Sequence, residues 1–172
     1  MASPINCICL CSYNSTGFGI SSQNYISSLL VFSDILCIQE HFLQHCKDKK
    51  VSNTSILRKK FDDEFDMFIV PAVKNCNQIS RGRGAGGLAT IWKRSLTKFV
   101  SQASCKSSRL QATKFDLPSS PLLVINAYFP CDPQNDSFDD TELINLLAEV
   151  KSIIENNQFY NVVIAGDLNC HF

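Results

Sequence analysis

Two stretches of the sequence, LLVINAYFP at residues 122–130 and NVVIAGDLN at residues 161–169, decide the fold class. Each contains an apolar run of strand length, Leu122–Ala127 and Val162–Ala165, and each ends in polar residues. Between them, Asp139–Asn156 has apolar side chains at helical spacing and acidic side chains at its start, which is typical of an amphipathic helix. A crossover of this length usually joins parallel strands, so we predict that both strands end at one rim of a sheet.

The remainder of the sequence predicts a second strand–helix–strand unit and several further strands. Apolar runs at Ile5–Cys11 and Ile35–Ile38 flank a helix that begins near Ser21, and Arg58–Glu64 is expected to be a short helix or a loop. Further strands are predicted at Phe68–Val70, Leu88–Trp92, Phe99–Gln102 and Leu110–Phe115. This order of elements indicates the α/β class, with a mixed sheet or two packed sheets flanked by helices.

Composition and charge narrow the class of protein. A chain of 172 residues with 45% hydrophobic and 19% charged residues can bury a core, which excludes disordered and fibrous classes. The net charge is zero, but residues 1–120 hold 15 of the 16 Lys and Arg residues and only 8 of the 16 acidic residues. This positive part of the chain favours a polyanionic partner.

The sequence also carries signals about where the protein resides. It shows no basic leader and no apolar stretch of membrane-spanning length, so we expect an intracellular protein that is neither secreted nor in a membrane. Nine cysteines at irregular spacing are expected to be reduced. Cys7, Cys9 and Cys11 alternate along the first apolar run, and we predict that they lie buried on one sheet face.

Polar residues follow four of the predicted strands. The first strand leads to Asn14 and the second to Glu40, while the strands quoted above lead to Tyr128 and to Asp167 and Asn169. If each pair of strands is parallel, these residues share one rim, where open α/β sheets place their chemistry. Carboxylates and amides without clustered Cys or His suit Mg²⁺ that keeps most of its waters, which matches phosphate-ester hydrolysis.

Five motifs in this order resemble those of the endonuclease/exonuclease/phosphatase superfamily. They are Tyr13-Asn14, Cys37-Ile38-Gln39-Glu40, Gly86-Gly87-Leu88-Ala89, Asn126-Ala127-Tyr128-Phe129-Pro130 and Gly166-Asp167-Leu168-Asn169. The stretches 82–89 and 37–41 are most similar to the apurinic-type endonuclease domain of non-LTR (LINE-like) retrotransposons. The resemblance covers essentially the whole chain and implies a two-sheet α/β sandwich.

The resemblance also implies a role for each site residue. Glu40 would be the main metal-binding carboxylate, for Mg²⁺ or Mn²⁺, and Asn14 would lie near the metal and the reactive phosphate. Tyr128 would contact the scissile phosphate, Asp167 would orient or deprotonate the attacking water, and Asn169 would hydrogen-bond the phosphate. Arg109 matches a position that supports the phosphate side of the site. The implied partner is double-stranded DNA in the nucleus, with a reverse transcriptase region downstream.

Two departures from the family pattern affect these expectations. Thr16 stands where many repair-type members carry an Asp, which removes one metal or water contact. The Ser-Asp-His-like motif that ends the family's domain has no counterpart here, and His171 is in the wrong place to supply it. Residues 1–172 are therefore expected to form a partial domain, incomplete at the C-terminus, with little or no nicking activity by themselves.

Other motifs allow competing interpretations. Gly82-x-Gly84-x-x-Gly87 matches a dinucleotide fingerprint, but the residues after it favour a strand over a helix. A loop that reaches a phosphate backbone with Arg81 and Arg83 is favoured over a cofactor site, and without the resemblance an ordinary exposed loop is equally consistent with the sequence. His41 and His45 have zinc-ligand spacing but lack an intervening Glu, so packed or exposed histidines are expected. Basic clusters that could face DNA or solvent equally well lie at Lys47–Lys50, Arg58–Lys60 and Lys93-Arg94.

Three functional hypotheses remain open from the sequence. The first is a Mg²⁺-dependent DNA-nicking endonuclease domain of a retrotransposon polyprotein. The second is a phosphoesterase of the same superfamily that acts on a small molecule, and the third is a non-catalytic remnant that binds DNA weakly. The excess of positive charge in residues 1–120 favours DNA over a small substrate.

Overall fold

The computed structural model describes residues 7–44, 54–61, 63–73, 85–130 and 141–169. The first half of the chain contains β1 (Leu10–Asn14), α1 (Ile20–Phe32), β2 (Ile35–Gln39), α2 (Thr54–Phe61), β3 (Phe65–Val70) and β4 (Leu88–Lys93). A 3₁₀ helix (Arg94–Phe99) leads into β5 (Val100–Ala103), β6 (Leu110–Phe115), β7 (Leu122–Tyr128), α3 (Thr141–Glu155) and β8 (Asn161–Asp167).

The strands form two four-stranded mixed sheets, one with the order β1-β2-β4-β3 and the other with the order β5-β6-β7-β8. Each sheet has one parallel pair, β1 with β2 and β7 with β8, and its other pairs are antiparallel. A helix crosses over between the members of each parallel pair, as the crossover lengths predict. The predicted α/β fold with two packed sheets is confirmed.

Three apolar clusters make the core. The inner faces of the two sheets meet around residues such as Cys37, Trp92 and Phe115. α1 and α2 cover the outer face of the first sheet through Ile26, Leu30, Leu57 and Phe61, while α3 covers the second sheet through Leu146, Val150 and Ile153. Since β2 lies between helices and the opposite sheet, all five of its residues are buried.

The first strand differs most from its prediction, since it is predicted at Ile5–Cys11 and observed at Leu10–Asn14. The other elements lie close to the predicted ones, with three differences. The predicted helix at Arg58–Glu64 is α2, which begins earlier, at Thr54, and ends at Phe61. The acidic start predicted for α3, Asp139 and Asp140, lies outside the described residues, and the helix is described from Thr141. The 3₁₀ helix at Arg94–Phe99 was not predicted, since a single short turn leaves no periodic pattern in the sequence.

The prediction for the N-terminal cysteines is wrong. β1 begins at Leu10, where its pairing with Ile35 of β2 starts, so Cys7 and Cys9 precede the strand and are exposed. Cys11 lies within β1 but is only partly buried. The three cysteines therefore do not lie together on one face of the sheet. Residues 1–6 lie outside the described part of the chain.

Among the described helices, none has the length and hydropathy to cross a membrane.

Candidate active site

The carboxyl ends of the two parallel strand pairs meet at one edge of the sandwich. Asn14 ends β1, Glu40 follows β2, and Tyr128 and Asp167 end β7 and β8, where they are register partners. The Asn14 side-chain amide donates a hydrogen bond from Nδ2 to Oδ2 of Asp167 at 2.7 Å. The Tyr128 hydroxyl donates one to Oε1 of Glu40, also at 2.7 Å. Both hydrogen bonds join one sheet to the other, so four residues expected at the rim form one cluster.

Glu40 has a backbone conformation that few residues with side chains adopt. Its φ is +55°, in the left-handed region, and Phe42 two residues later has a φ of +56°. Such conformations cost free energy and persist only where the surroundings hold them. Here the backbone N–H of Gly17 donates to Glu40 O at 2.7 Å, and that of Phe42 donates to Gly86 O at 3.1 Å.

His41 holds the turn after Glu40 from inside the protein. The ring is fully buried, and its Nδ1 accepts a hydrogen bond from the backbone N–H of Leu43 at 3.0 Å. The hydrogen therefore belongs on Nε2, which donates to Leu88 O at 3.3 Å. Burial lowers the pKa of His41 to about 4, so the ring is neutral at physiological pH. With both nitrogens engaged inside the protein, His41 is a packed histidine, one of the two outcomes that the sequence analysis expects. His45 lies outside the described residues.

Gly87 leaves the space that the His41 ring fills. A Cβ at Gly87 would lie 2.5 Å from the ring carbon Cε1, and the residue has a φ of +94°. Only glycine combines this close approach with that conformation. Of the Gly-rich stretch, residues 85–87 are described, and β4 follows directly, which agrees with rejecting the dinucleotide fingerprint. Arg81 and Arg83 lie outside the described residues.

Asp167 is oriented by hydrogen bonds on both carboxylate oxygens. Oδ2 accepts from Asn14, and Oδ1 accepts from the backbone N–H of Asn169 at 3.1 Å. The Asn169 side chain donates from Nδ2 to Phe129 O at 2.7 Å, which ties the turn after β8 to the end of β7. The Oδ1 of Asn14 accepts the backbone N–H of Thr16 at 3.0 Å. Thr16 thus orients Asn14 through its main chain.

Gly166 permits the close approach of β8 to β7 just before Asp167. A Cβ at this position would lie 1.9 Å from the carbonyl oxygen of Ala127, its register partner. The glycine has a φ of +147°. Any side chain would separate the strands at the point where Tyr128 and Asp167 are paired.

A buried amide pair that the sequence analysis did not identify lies beneath the site. Asn126 on β7 accepts a hydrogen bond from Nε2 of Gln39 on β2 at 2.7 Å, and both residues are buried. The Nδ2 of Asn126 donates to Ile38 O and Ala89 O in the opposite sheet. The sequence did contain a signal for this pair, because each amide side chain lies within an otherwise apolar strand. A buried amide needs hydrogen-bond partners, and apolar neighbours in the same strand cannot provide them.

Arg109 lies beside Tyr128, and its role on the phosphate side stays a prediction. Its guanidinium carbon is 5.1 Å from the centroid of the Tyr128 ring, and its Nε donates to Oε1 of Glu142 at 2.7 Å. Glu142 belongs to the first turn of α3. The ring therefore contacts a cation on its face and a carboxylate at its hydroxyl.

The basic clusters differ in their positions. Lys93 and Arg94 form ion pairs with Asp34 and Asp66, respectively. They lie at the C-terminal end of β4, whereas the other end of this strand, at Leu88, pairs with Gln39 next to Glu40. They therefore lie away from the candidate site. Arg58 donates to Met67 O, while Lys47–Lys50 lie outside the described residues.

The oxygen ligands at this edge suit a Mg²⁺ ion that keeps several waters better than a metal ion bound entirely by protein side chains. Glu40 and Asn14 offer carboxylate and amide oxygens, the ligand types that hard cations prefer. Within the described ranges, no three His, Cys, Asp or Glu side chains group closely enough to hold a metal among themselves. A cation here would keep several waters, as Mg²⁺ does in phosphate-processing sites.

Neither a protein-family model nor a curated protein matches the sequence, but solved structures match the fold. A humanized TDP2 from D. rerio is 15% identical, with a TM-score of 0.62 over 95% of this chain and 67% of that one. The 3′ phosphatase NExo from Neisseria, bound to a product DNA hairpin, is 17% identical, with a TM-score of 0.61 over 95% of this chain and 58% of that one. The AP endonuclease LMAP from Leishmania major is 17% identical, with a TM-score of 0.60 over 92% of this chain and 54% of that one.

This chain spans only part of the length of these structures, down to 48% for TDP2 from C. elegans. At such identities the likeness establishes the fold. The two mixed sheets with flanking helices have the endonuclease/exonuclease/phosphatase-like fold that the sequence resemblance implies.

Proposed function

We propose that the cluster at the ends of β1, β2, β7 and β8 serves the Mg²⁺-dependent hydrolysis of phosphodiester bonds in DNA. The observation that carries the proposal is the pair of 2.7 Å hydrogen bonds, Asn14 to Asp167 and Tyr128 to Glu40, which join four polar strand ends across two sheets. Polar groups gathered from distant parts of a chain at one edge are typical of a site where chemistry takes place.

Glu40 and Asn14 are the residues that would hold Mg²⁺. A bound Mg²⁺ supplies charge neutralisation at the phosphate and its leaving oxygen. The left-handed backbone of Glu40 and the buried His41 beside it fix the carboxylate relative to the sheet. The chain thus spends conformational free energy to present one carboxylate in one orientation.

Asp167 is the group proposed to accept a proton from the attacking water. Its carboxylate is held by Asn14 and by the Asn169 backbone, at the end of β8 where Asp167 is the register partner of Tyr128. The second amide hydrogen of Asn169 is a donor suited to phosphate oxygens, and the Tyr128 hydroxyl, which here donates to Glu40, would donate to a phosphate in its place. Proton transfer at Asp167 and hydrogen bonding at the phosphate are separate tasks on separate residues.

The DNA substrate and the biological setting are proposed from two sources. The neighbours include a phosphatase bound to a DNA hairpin product and a TDP2 in complex with single-strand DNA product. The motifs at 37–41 and 82–89 resemble those of non-LTR retrotransposon endonucleases. We therefore propose a DNA-nicking role within a retrotransposon polyprotein, in the nucleus and with a reverse transcriptase encoded downstream of Phe172.

The nicking of supercoiled plasmid in the presence of Mg²⁺ tests the function. Because the chain spans 48–67% of the length of its structural neighbours, the assay uses residues 1–172 and also the longest product of the same reading frame. We expect Mg²⁺-dependent nicking by the longer product, reduced at least 100-fold by Glu40→Gln or Asp167→Asn. Glu155→Gln, on the exposed surface of α3, should nick as the unchanged protein does.

Two outcomes would contradict the proposal. Nicking at an undiminished rate in both Glu40→Gln and Asp167→Asn would show that the chemistry lies elsewhere. A longer product that binds neither Mg²⁺ nor DNA would contradict the proposed hydrolysis of DNA itself. A reading frame downstream of Phe172 without a reverse transcriptase would count against the retrotransposon setting alone.

A further inference from the structure

We propose that Glu142 is a built-in competitor of the substrate, whose carboxylate occupies the anion position of Arg109 and is exchanged for a phosphate of the DNA. The inference rests on the proposed function, since it names the ligand that Arg109 takes at that same site. The exchange breaks an ion pair and forms another, and no covalent bond changes.

Arg109 is held in place independently of Glu142. Its carbonyl oxygen accepts the backbone N–H of Tyr128 at 2.9 Å, and its own N–H donates to Oγ of Ser107 at 3.1 Å. The guanidinium lies against the face of the Tyr128 ring. When the carboxylate leaves, the guanidinium therefore stays beside the tyrosine whose hydroxyl contacts Glu40.

Glu142 is suited to leave. Its side chain is 54% exposed and that of Arg109 is 29% exposed, so the pair is in contact with water. Such exposed ion pairs contribute little net free energy. A cavity of about 350 Å³, lined in part by Ser107, Thr141 and Asn145, adjoins Glu142 and provides room for a displaced side chain.

A phosphate is a better partner for Arg109 than the present carboxylate contact. The Arg109–Glu142 ion pair uses Nε and one carboxylate oxygen, whereas a guanidinium can bind phosphate through two parallel N–H donors. A phosphate on Arg109 would also lie near Tyr128, whose hydroxyl contacts the proposed cation carboxylate. Glu142 therefore keeps the guanidinium neutralised until a phosphate arrives.

The test compares two substitutions that remove the same charge from the same helix. Glu142→Gln frees Arg109, whereas Glu155→Gln removes a carboxylate that pairs with the exposed Lys151. The affinity of the 172-residue chain for a fluorescent DNA duplex is measured by anisotropy without divalent metal. We expect Glu142→Gln to tighten binding three- to tenfold and Glu155→Gln to change it less than twofold. The gain should vanish in Arg109→Ala/Glu142→Gln.

An equal gain from both glutamines, or a gain that persists without Arg109, would overturn the inference. A second probe separates it from the proposed function. Inorganic phosphate is titrated into the ¹⁵N-labelled chain while the Arg109 Nε–H resonance is followed by NMR. In Glu142→Gln, the resonance should shift at a phosphate concentration several-fold lower than in the unchanged chain. Phosphate exchange in this chain, with no DNA cleavage by the longest product of the reading frame, would leave the inference intact and count against the proposed function. No shift in either protein would overturn the inference.

Discussion

The two sheets bring their candidate site residues to the same edge by opposite means. In the first sheet, the end of β2 is fixed by a buried side chain, because the His41 ring fills the space left by Gly87 and hydrogen-bonds on both nitrogens. In the second sheet, the end of β8 is fixed by the lack of a side chain, because Gly166 lets the backbone lie against Ala127.

The surroundings of these two strands differ as well. All five residues of β2 are buried, whereas Val163 and Ile164 of β8 are 37% and 41% exposed. The proposed metal carboxylate therefore follows a buried central strand, and the proposed water-activating carboxylate ends an edge strand. This difference predicts that each side of the site can be disrupted separately.

Gly166→Ala should have the largest effect, and it acts on the second sheet. The new Cβ would overlap the Ala127 carbonyl oxygen at 1.9 Å, and backbone atoms cannot move aside without separating β8 from β7. We expect a loss on the order of 4 kcal/mol in the free energy of unfolding, measured by urea denaturation. The control is Gly19→Ala, where nothing lies within 4 Å of the new Cβ and the cost should be below about 1 kcal/mol. Equal losses for the two glycines would refute the close approach.

Lowering the pH should destabilise the first sheet through His41. Burial lowers the pKa of His41 to about 4 in the folded protein, against an ordinary value of 6.5, so the unfolded chain takes up the proton first. Stability is therefore full above pH 6.5 and falls as the pH decreases to about 4, by about 3 kcal/mol.

Urea denaturation at several pH values measures this dependence. His41→Gln, which cannot titrate, should show a flatter profile between pH 6.5 and 4. A profile identical to that of the unchanged protein would contradict the buried, neutral ring.

Asn126→Ala should have a smaller effect, and it tests the link between the sheets. The substitution leaves the buried Nε2 of Gln39 without its 2.7 Å partner and removes donors to Ile38 O and Ala89 O, for a loss of about 2 kcal/mol. The double variant with Gln39→Ala should lose less than the sum of the two single losses. Additive losses, measured by thermal unfolding, would mean that the two amides do not stabilise each other.

Much of this arrangement follows from local sequence patterns. The crossover lengths predict both parallel pairs. Residues at the ends of these strands, such as Asn14 and Tyr128, therefore lie at one rim. The structure brings Glu40, Asp167 and Arg109 to the same place. Their chemical roles remain predictions.

What the sequence did not reveal depends on the contact between the two sheets. The pairing of Gln39 with Asn126 needs the facing of β2 and β7, which no local periodicity encodes. The space that Gly166 and Gly87 provide is set by atoms of another strand. The cysteine prediction is wrong for a related reason: β1 is an edge strand, and where it begins is set by its partner Ile35 and not by its own alternation.

The central claim is that strand ends from both sheets form one divalent-cation site for phosphodiester chemistry. Its most direct test is a crystal of the chain soaked in Mn²⁺, with the ion located by anomalous scattering. We predict one Mn²⁺ bonded to the Glu40 carboxylate, on the side that faces Asn14 and Asp167, and its loss in Glu40→Gln crystals. Mn²⁺ bound only elsewhere, or equally well in Glu40→Gln, would contradict the claim.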